Sequence, residues 1–529
     1  MRRIDAFGKI QRYAKRQMSQ VVRGAGVTES ERYLAALAEK TFLRLWSYPN
    51  VFVDKRDGKN QKNRQGKELA DLLIVCGDDV LIFSDKSIAW PNSELSLAWS
   101  RWYRRAVEHS VDQLAGAARW VETHADRLYL DRECTMPFPF SLPPKERRRI
   151  HLIAVAVGAS EACRAHFEGG IGTLVIEPAI RGTQHYDSTL GHVAKPFRVG
   201  DANPDGTFVH VFDPEALDVV FSELDTVVDF TTYLTRRAAF MRSGNFVGAP
   251  GEEDLLALFL KNIGPDGNHD FVADNGKPFG PHDQIIVKDG TFNWLHSHPG
   301  YQSKKVADEP SYFWDRLIEL FVGHVLDGTS VPPDGKTLSV SMSERALRVM
   351  ARESRMQRRM LGSTVLDAIK TAESVRAPKF ARRILPGPDS ANKEVGYIFL
   401  ILAYPDFHLQ GGYEQYRQTR ASMLEAYCYD LIEQQPELVR VVGIAVDASP
   451  NITGRKGGSE DLALLERPEW TPDLMETLGK WRDLYGLRKT SDLVMQRLQV
   501  QEYPDSAPRI SRQQRRAAER AARKRRTSM

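Results

Sequence analysis

Two periods of apolar residues alternate along this chain, and together they predict an α/β protein. Leu69 to Val75 and Val80 to Phe83 are near-continuous apolar runs, separated by the turn residues Gly77, Asp78 and Asp79. That pattern predicts a hairpin of two strands covered on both faces. Upstream, Thr28 followed three residues later by Glu31 is a capping-box signature. It opens a helix to about Trp46, with Leu34, Leu37, Thr41 and Leu45 on one face. The helix ends before Tyr48-Pro49, and Val51 to Val53 reads as a short strand. Beyond the hairpin, helical period returns from about Leu97 to His124, with Trp102, Val107, Val111, Leu114 and Ala118 as its apolar stripe. The tryptophans of this stretch read as core residues.

Three more strand-like segments follow, Ile150 to Val157, Gly172 to Ile176 and Phe208 to Phe212, and then a helix from Leu217 to Phe240. A break falls at Gly244 to Gly251. The second half is richer in helical period: Glu253 to Asn262, Tyr312 to Leu326, Ser343 to Met360 and Gln415 to Gln434, with strands at Tyr397 to Leu402 and Val441 to Val446. Ser459, after two glycines, reads as the N-cap of a further helix. The reading divides the chain into a basic segment 1–27, an α/β domain 28–243, a mainly helical α+β domain 252–500 and a basic tail 501–529.

Composition adds limits. With 529 residues, 42% hydrophobic and 27% charged, the chain has the balance of a globular protein. It has no apolar run of membrane-spanning length, and the basic N-terminus lacks the apolar core of a secretory signal. Cys76, Cys134, Cys163 and Cys428 are scattered without a CxxC pair, which argues for reduced thiols and a cytoplasmic setting. The net charge of +4 hides a polar distribution: residues 1–23 carry +6 and residues 509–529 carry +8, so the 485 residues between them carry −10. Basic tails suit phosphate backbones, and they also suit solvated chain ends. Lys55, Arg56, Lys59, Lys62, Arg64 and Lys67 make the loop before the hairpin basic as well. Arg345, Arg348, Arg352, Arg355, Arg358 and Arg359 crowd the segment 343–360, which reads either as a face for a phosphate backbone or as an ordinary exposed helix.

The candidate chemistry lies in the hairpin. Asp71 interrupts its first apolar run, and Ser84-Asp85-Lys86 closes the second. Burying a carboxylate or an ammonium in an apolar sheet is costly unless the charge is paired or holds a metal. An acid on one strand followed by an acid-x-lysine on the next resembles the core of the PD-(D/E)XK nuclease superfamily, the restriction-endonuclease-like fold. The resemblance covers about residues 28 to 125. It implies a restriction-endonuclease-like α/β core with a mixed sheet, and a metal-dependent phosphodiesterase acting on nucleic acid, DNA more than RNA, of a kind common in host defence. Asp71 would bind Mg²⁺ or Mn²⁺, Asp85 or Glu39 would supply the second carboxylate, Lys86 would activate water, and Gln113 would support the site. Glu31 competes with Glu39 for the helical acid. The chain departs from the family pattern at Ser84, where an acid is expected, and strand alternation turns Asp85 to the opposite face. The alternative is therefore a non-catalytic binding protein in which Asp71 and Lys86 form a partly buried ion pair. A third reading rests on His296-Ser297-His298-Pro299-Gly300, which resembles the zinc-binding strand end of JAMM-type metalloproteases, although four residues rather than two lie between Ser303 and Asp308.

Overall fold

A computed structural model describes residues 21–55, 66–187, 194–330, 340–387, 392–404, 412–448, 459–496, 498 and 501–504. Its organising element is a mixed five-stranded sheet. The strands are β1 (Ser47–Val53), β2 (Lys67–Cys76), β3 (Asp79–Ser87), β4 (Arg149–Val157) and β5 (Val209–Phe212), in spatial order β1-β2-β3-β4-β5. β1, β2 and β3 form an antiparallel meander, while β3, β4 and β5 run parallel.

Side-chain alternation explains why these strands read as continuous apolar runs. Leu72, Ile74, Leu81, Phe83, Ile153 and Val155 face one core. Leu73, Val75, Val80, Ile82, Leu152 and Ala154 face another. The first core is covered by α1 (Glu29–Phe42), α4 (Pro214–Glu223) and α5 (Val227–Arg242). The second is covered by α2 (Leu95–Tyr103) and α3 (His109–Thr123), which are joined by one π-helical turn over Arg104–Glu108. Trp99 and Trp102 are fully buried there. The single helix expected over 217–240 is two helices. Thr226 caps the second, accepting from the Asp229 amide. The strand expected at 172–176 lies at Val175–Arg181, outside the five-stranded sheet, where it pairs with Arg198–Asp201 and bridges Ala249 through Ile176.

The second half begins with α6 (Glu252–Lys261) and includes α7 (Pro299–Ala307), α8 (Ser311–Leu326), α9 (Val340–Ala351) and α10 (Arg355–Ser374). It carries its own mixed sheet, β6 (Lys379–Ile384), β7 (Val395–Leu402), β8 (Arg440–Asp447) and β9 (Glu460–Glu466), in that spatial order. The inner pair β7/β8 is parallel and joined by α11 (Gly412–Gln434), while β6 and β9 are antiparallel edges. Both edge strands escape the sequence reading because three side chains in each are charged, as edge strands tolerate. Ser459 accordingly precedes a strand rather than a helix.

The helix expected over 343–360 breaks at Arg352–Ser354, and Ser354 caps α10 by accepting from the Gln357 amide. Its last three arginines are not free to face a phosphate backbone, while Arg345, Arg348 and Arg352 stay partly exposed. Arg355 bonds Asp225 and Asp315, Arg358 bonds Asp315, and Arg359 bonds Asp308, all with the guanidinium buried. Of the two strand-like stretches before His296, Ile285 to Lys288 holds a short strand, Ile285–Ile286, and Thr291 to Leu295 is instead part of a helix, Thr291–Ser297. His296 lies beside Glu223, and His298 caps α7 through its own ring nitrogen. The two histidines therefore do not share a strand face.

Candidate active site

The site grows out of a fork in the sheet. β2 and β3 are registered only from Leu72 opposite Phe83 to Cys76 opposite Asp79. Beyond Phe83, β3 continues along β4, while β2 stays with β1. Asp71 stands in the crotch of that fork. Its Oδ2 accepts a 2.5 Å hydrogen bond from the Asp85 amide and lies 3.9 Å from Lys86 Nζ. Asp71 and Lys86 are thus brought together from neighbouring strands.

Asp85 and Ser84 point to opposite faces, as strand alternation requires. The Ser84 hydroxyl is buried toward α3, 3.3 Å from both Ser110 Oγ and Gln113 Oε1. Gln113 therefore reaches the fork through Ser84. Asp85 turns toward the start of α1, where the Ser30 hydroxyl and the Glu31 carboxylate both act on its charge. Both Asp85 oxygens are buried, and the Ser30 hydroxyl is the donor that acts on them.

The helical acid that reaches the fork is Glu31, not Glu39. Glu39 lies eight residues along α1, about 12 Å at 1.5 Å per residue, and its carboxylate is held by Arg23 at 2.7 Å. Glu31 accepts from the Val27 amide at 2.8 Å and from Asn50 Nδ2 at 3.0 Å. The same Asn50 amide group donates to Glu68 Oε1 at 2.7 Å. Asn50 adopts φ +51°, a left-handed conformation that asparagine tolerates better than most residues. Asn50 and Glu68 were not legible as site residues. The signals available were an Asn following Tyr48-Pro49 and an acid three residues before Asp71.

The electrostatics of the fork are those of uncompensated acids. Burial pushes the Asp71 carboxyl up to about 6, against the Asp85 amide and Lys86, with Glu68 and Glu31 adding repulsion. Burial likewise raises Asp85, with Glu31 repelling it and Ser30 and Lys86 opposing. Burial also acts upward on Glu31, but bonds from Asn50, Val27 and Thr28 outweigh it and hold this acid below its usual range. The Lys86 ammonium, 30% exposed and at the limit of ion-pair distance, does not neutralise the pair. Among the described residues no three His, Cys, Asp or Glu side chains converge as a metal-holding group. Asp71 directs one carboxylate toward Lys86, and Asp85 directs another toward Ser30 and Glu31; carboxylate oxygen is the donor type that a hard cation such as Mg²⁺ takes.

No family model matches this chain, and neither a curated protein nor a solved structure matches it. The molecule is a mixed α/β protein with an acid–lysine fork in its first sheet. Among the described residues no helix is long and apolar enough to cross a membrane.

Proposed function

We propose that the chain is a divalent-cation-dependent nuclease, with DNA as the favoured substrate and the β2/β3 fork as its centre. The observation that carries this reading is Lys86 Nζ at 3.9 Å from Asp71 Oδ2, with the amide of Asp85, itself a buried acid, donating to the same Oδ2. Buried acids left uncompensated cost stability, and such groups concentrate at functional sites. Asp71 and Asp85 would hold Mg²⁺ or Mn²⁺ through oxygen. That ion would supply charge neutralisation at the scissile phosphate and a more acidic water. Lys86 would orient the attacking water and donate to a non-bridging phosphate oxygen as negative charge builds there. Gln113, through Ser84, would fix the end of β3 that carries Lys86.

The test is cleavage of a linear DNA duplex and of a matched RNA by the full-length chain, with Mg²⁺, Mn²⁺ or EDTA. Metal-dependent cutting that falls at least 100-fold in both Asp71→Ala and Lys86→Ala is expected. Cutting that survives both substitutions overturns the reading.

One observation favours a second reading. Ser84 stands where an acid would complete a three-ligand set, and its hydroxyl is tied to Ser110 and Gln113. In that reading the fork is a scaffold, and the chain binds nucleic acid through its basic segments without cutting it. Salt-sensitive binding, with no cleavage under any divalent ion, is its signature.

A further inference from the structure

The last described residues, Gln501–Pro504, return across the second half and insert two side chains into it. Glu502 Oε1 lies 2.9 Å from Lys304 Nζ and 3.3 Å from His269 Nε2. Arg359 donates to the Gln501 carbonyl at 2.8 Å and lies 4.0 Å from Glu502 Oε2. Tyr503 packs against the main core, and its hydroxyl donates to the Leu260 carbonyl. The receiving cleft is therefore built by α6, α7, α10 and the segment carrying His269.

Charge explains why the cleft wants this acid. Lys304 and Arg359 are both buried, and Asp308 bonds each of them at 2.7 Å. One carboxylate thus serves two buried cations, and Glu502 supplies the second. A buried cation without its partner is strongly unfavourable. The approach to the cleft contributes little. Val494 is 98% exposed, Met495 67% and Leu498 47%, so these three apolar side chains ahead of the motif are left largely unpacked. A short acid–aromatic motif, held by side-chain pockets and a guanidinium on its backbone carbonyl, is the anatomy of peptide recognition.

We propose that the Lys304–Arg359–His269 cleft is a peptide-docking site whose occupant is the chain's own Glu502-Tyr503 motif, held reversibly in cis. In the sequence the motif is followed directly by the basic stretch 505–529, with nine Lys/Arg and two acids. This inference is independent of the nuclease reading.

Hydrogen–deuterium exchange on the full-length chain tests it. Residues 498–504 are expected to be protected in the parent chain, and to exchange at least tenfold faster in Glu502→Lys and in Tyr503→Ala. Glu502→Gln, which keeps the shape and removes the charge, gives an intermediate rise. Glu476→Lys, the same charge change at an exposed helical site, leaves 498–504 as in the parent. Residues 67–87 stay unchanged in every variant, which separates release of the motif from unfolding. A synthetic peptide of residues 498–506, added at millimolar concentration to Tyr503→Ala, restores the parental protection of residues 299–308. Parental exchange of 498–504 at the rate of an unstructured peptide, or failure of the added peptide to protect 299–308, overturns the proposal.

Discussion

Asp71 and Asp79 belong to one hairpin and are both buried, yet their surroundings drive them in opposite directions. Burial pushes Asp79 up too, but His151 at 3.1 Å and a two-pronged contact from Arg149 at 2.8 and 2.7 Å bring it down to about 2. Asp71 has only a backbone amide and a distant ammonium, and burial wins. The consequence for stability has a definite sign. Between the ordinary carboxylate range and about 6, the folded chain keeps a proton on Asp71 that the unfolded chain has released. Stability from this group therefore falls as pH rises through that window. Asp71→Asn removes the desolvated charge and keeps the shape. It is expected to raise stability at pH 8 by on the order of 1–3 kcal/mol, with little change at pH 4.5. Urea unfolding at the two pH values measures this. A loss of stability at pH 8 is what a structural ion pair would give. Pairing of this kind decides which acids are free, and it is set by residues far apart in sequence: Arg149 stands 70 positions from Asp79.

Elements show a different division. The helix breaks at 224–226 and 352–354 carry their own signals, Thr226 with Asp229 and Ser354 with Gln357, an N-cap followed by a polar residue three positions on. An apolar period continuing through both breaks masks those caps. The fork has no local signal at all, because strand partners part company only when β1 and β4 are in place. Glycines at the two ends of the core strands predict how tightly these ends are built. Gly158, just after β4, has φ +112°, and an added Cβ would lie 2.0 Å from the Ile88 carbonyl oxygen. At Gly77, in the β2/β3 turn at φ +66°, the nearest atom is Arg352 Nη1 at 1.9 Å, the far end of a flexible side chain. Backbone cannot retreat as a guanidinium can. Gly158→Ala is expected to cost more than about 2 kcal/mol and Gly77→Ala about 1 kcal/mol, both including the left-handed conformation. Denaturant midpoints of the two variants, measured side by side, check the order.

At the scale of the whole molecule, the break at 244–251 does not divide the core. One apolar cluster runs from Leu34 and Phe42 through Phe221 and Leu256 to Tyr397 and Ile444. Polar ties cross the same boundary: Trp46 Nε1 donates to Glu344 at 2.8 Å, Arg44 bonds Glu319, and Arg355 bonds Asp225. Shared burial of this extent couples the halves. Thermal unfolding is expected to show one transition by both circular dichroism and tryptophan fluorescence. A chain ending at residue 243 is expected to expose the shared core and bind an apolar dye. Two well-separated transitions in the full-length chain would contradict this. The halves also share a plan, an antiparallel strand pair, a helical crossover and a parallel third strand, seen in β2-β3-α3-β4 and again in β6-β7-α11-β8.

What the residues determined unaided was the α/β alternation, the first hairpin with its turn, and the opposite facing of Ser84 and Asp85. Each of these follows from local period, turn chemistry or the two-residue repeat of a strand. Only the folded molecule decided that Glu31 rather than Glu39 reaches the fork, that the arginines of 355–359 are buried partners of Asp225, Asp308 and Asp315, and that Glu502 and Tyr503 fill a cationic cleft. Those outcomes depend on which distant side chain arrives to neutralise a charge, and no local pattern in a single sequence encodes that arrival.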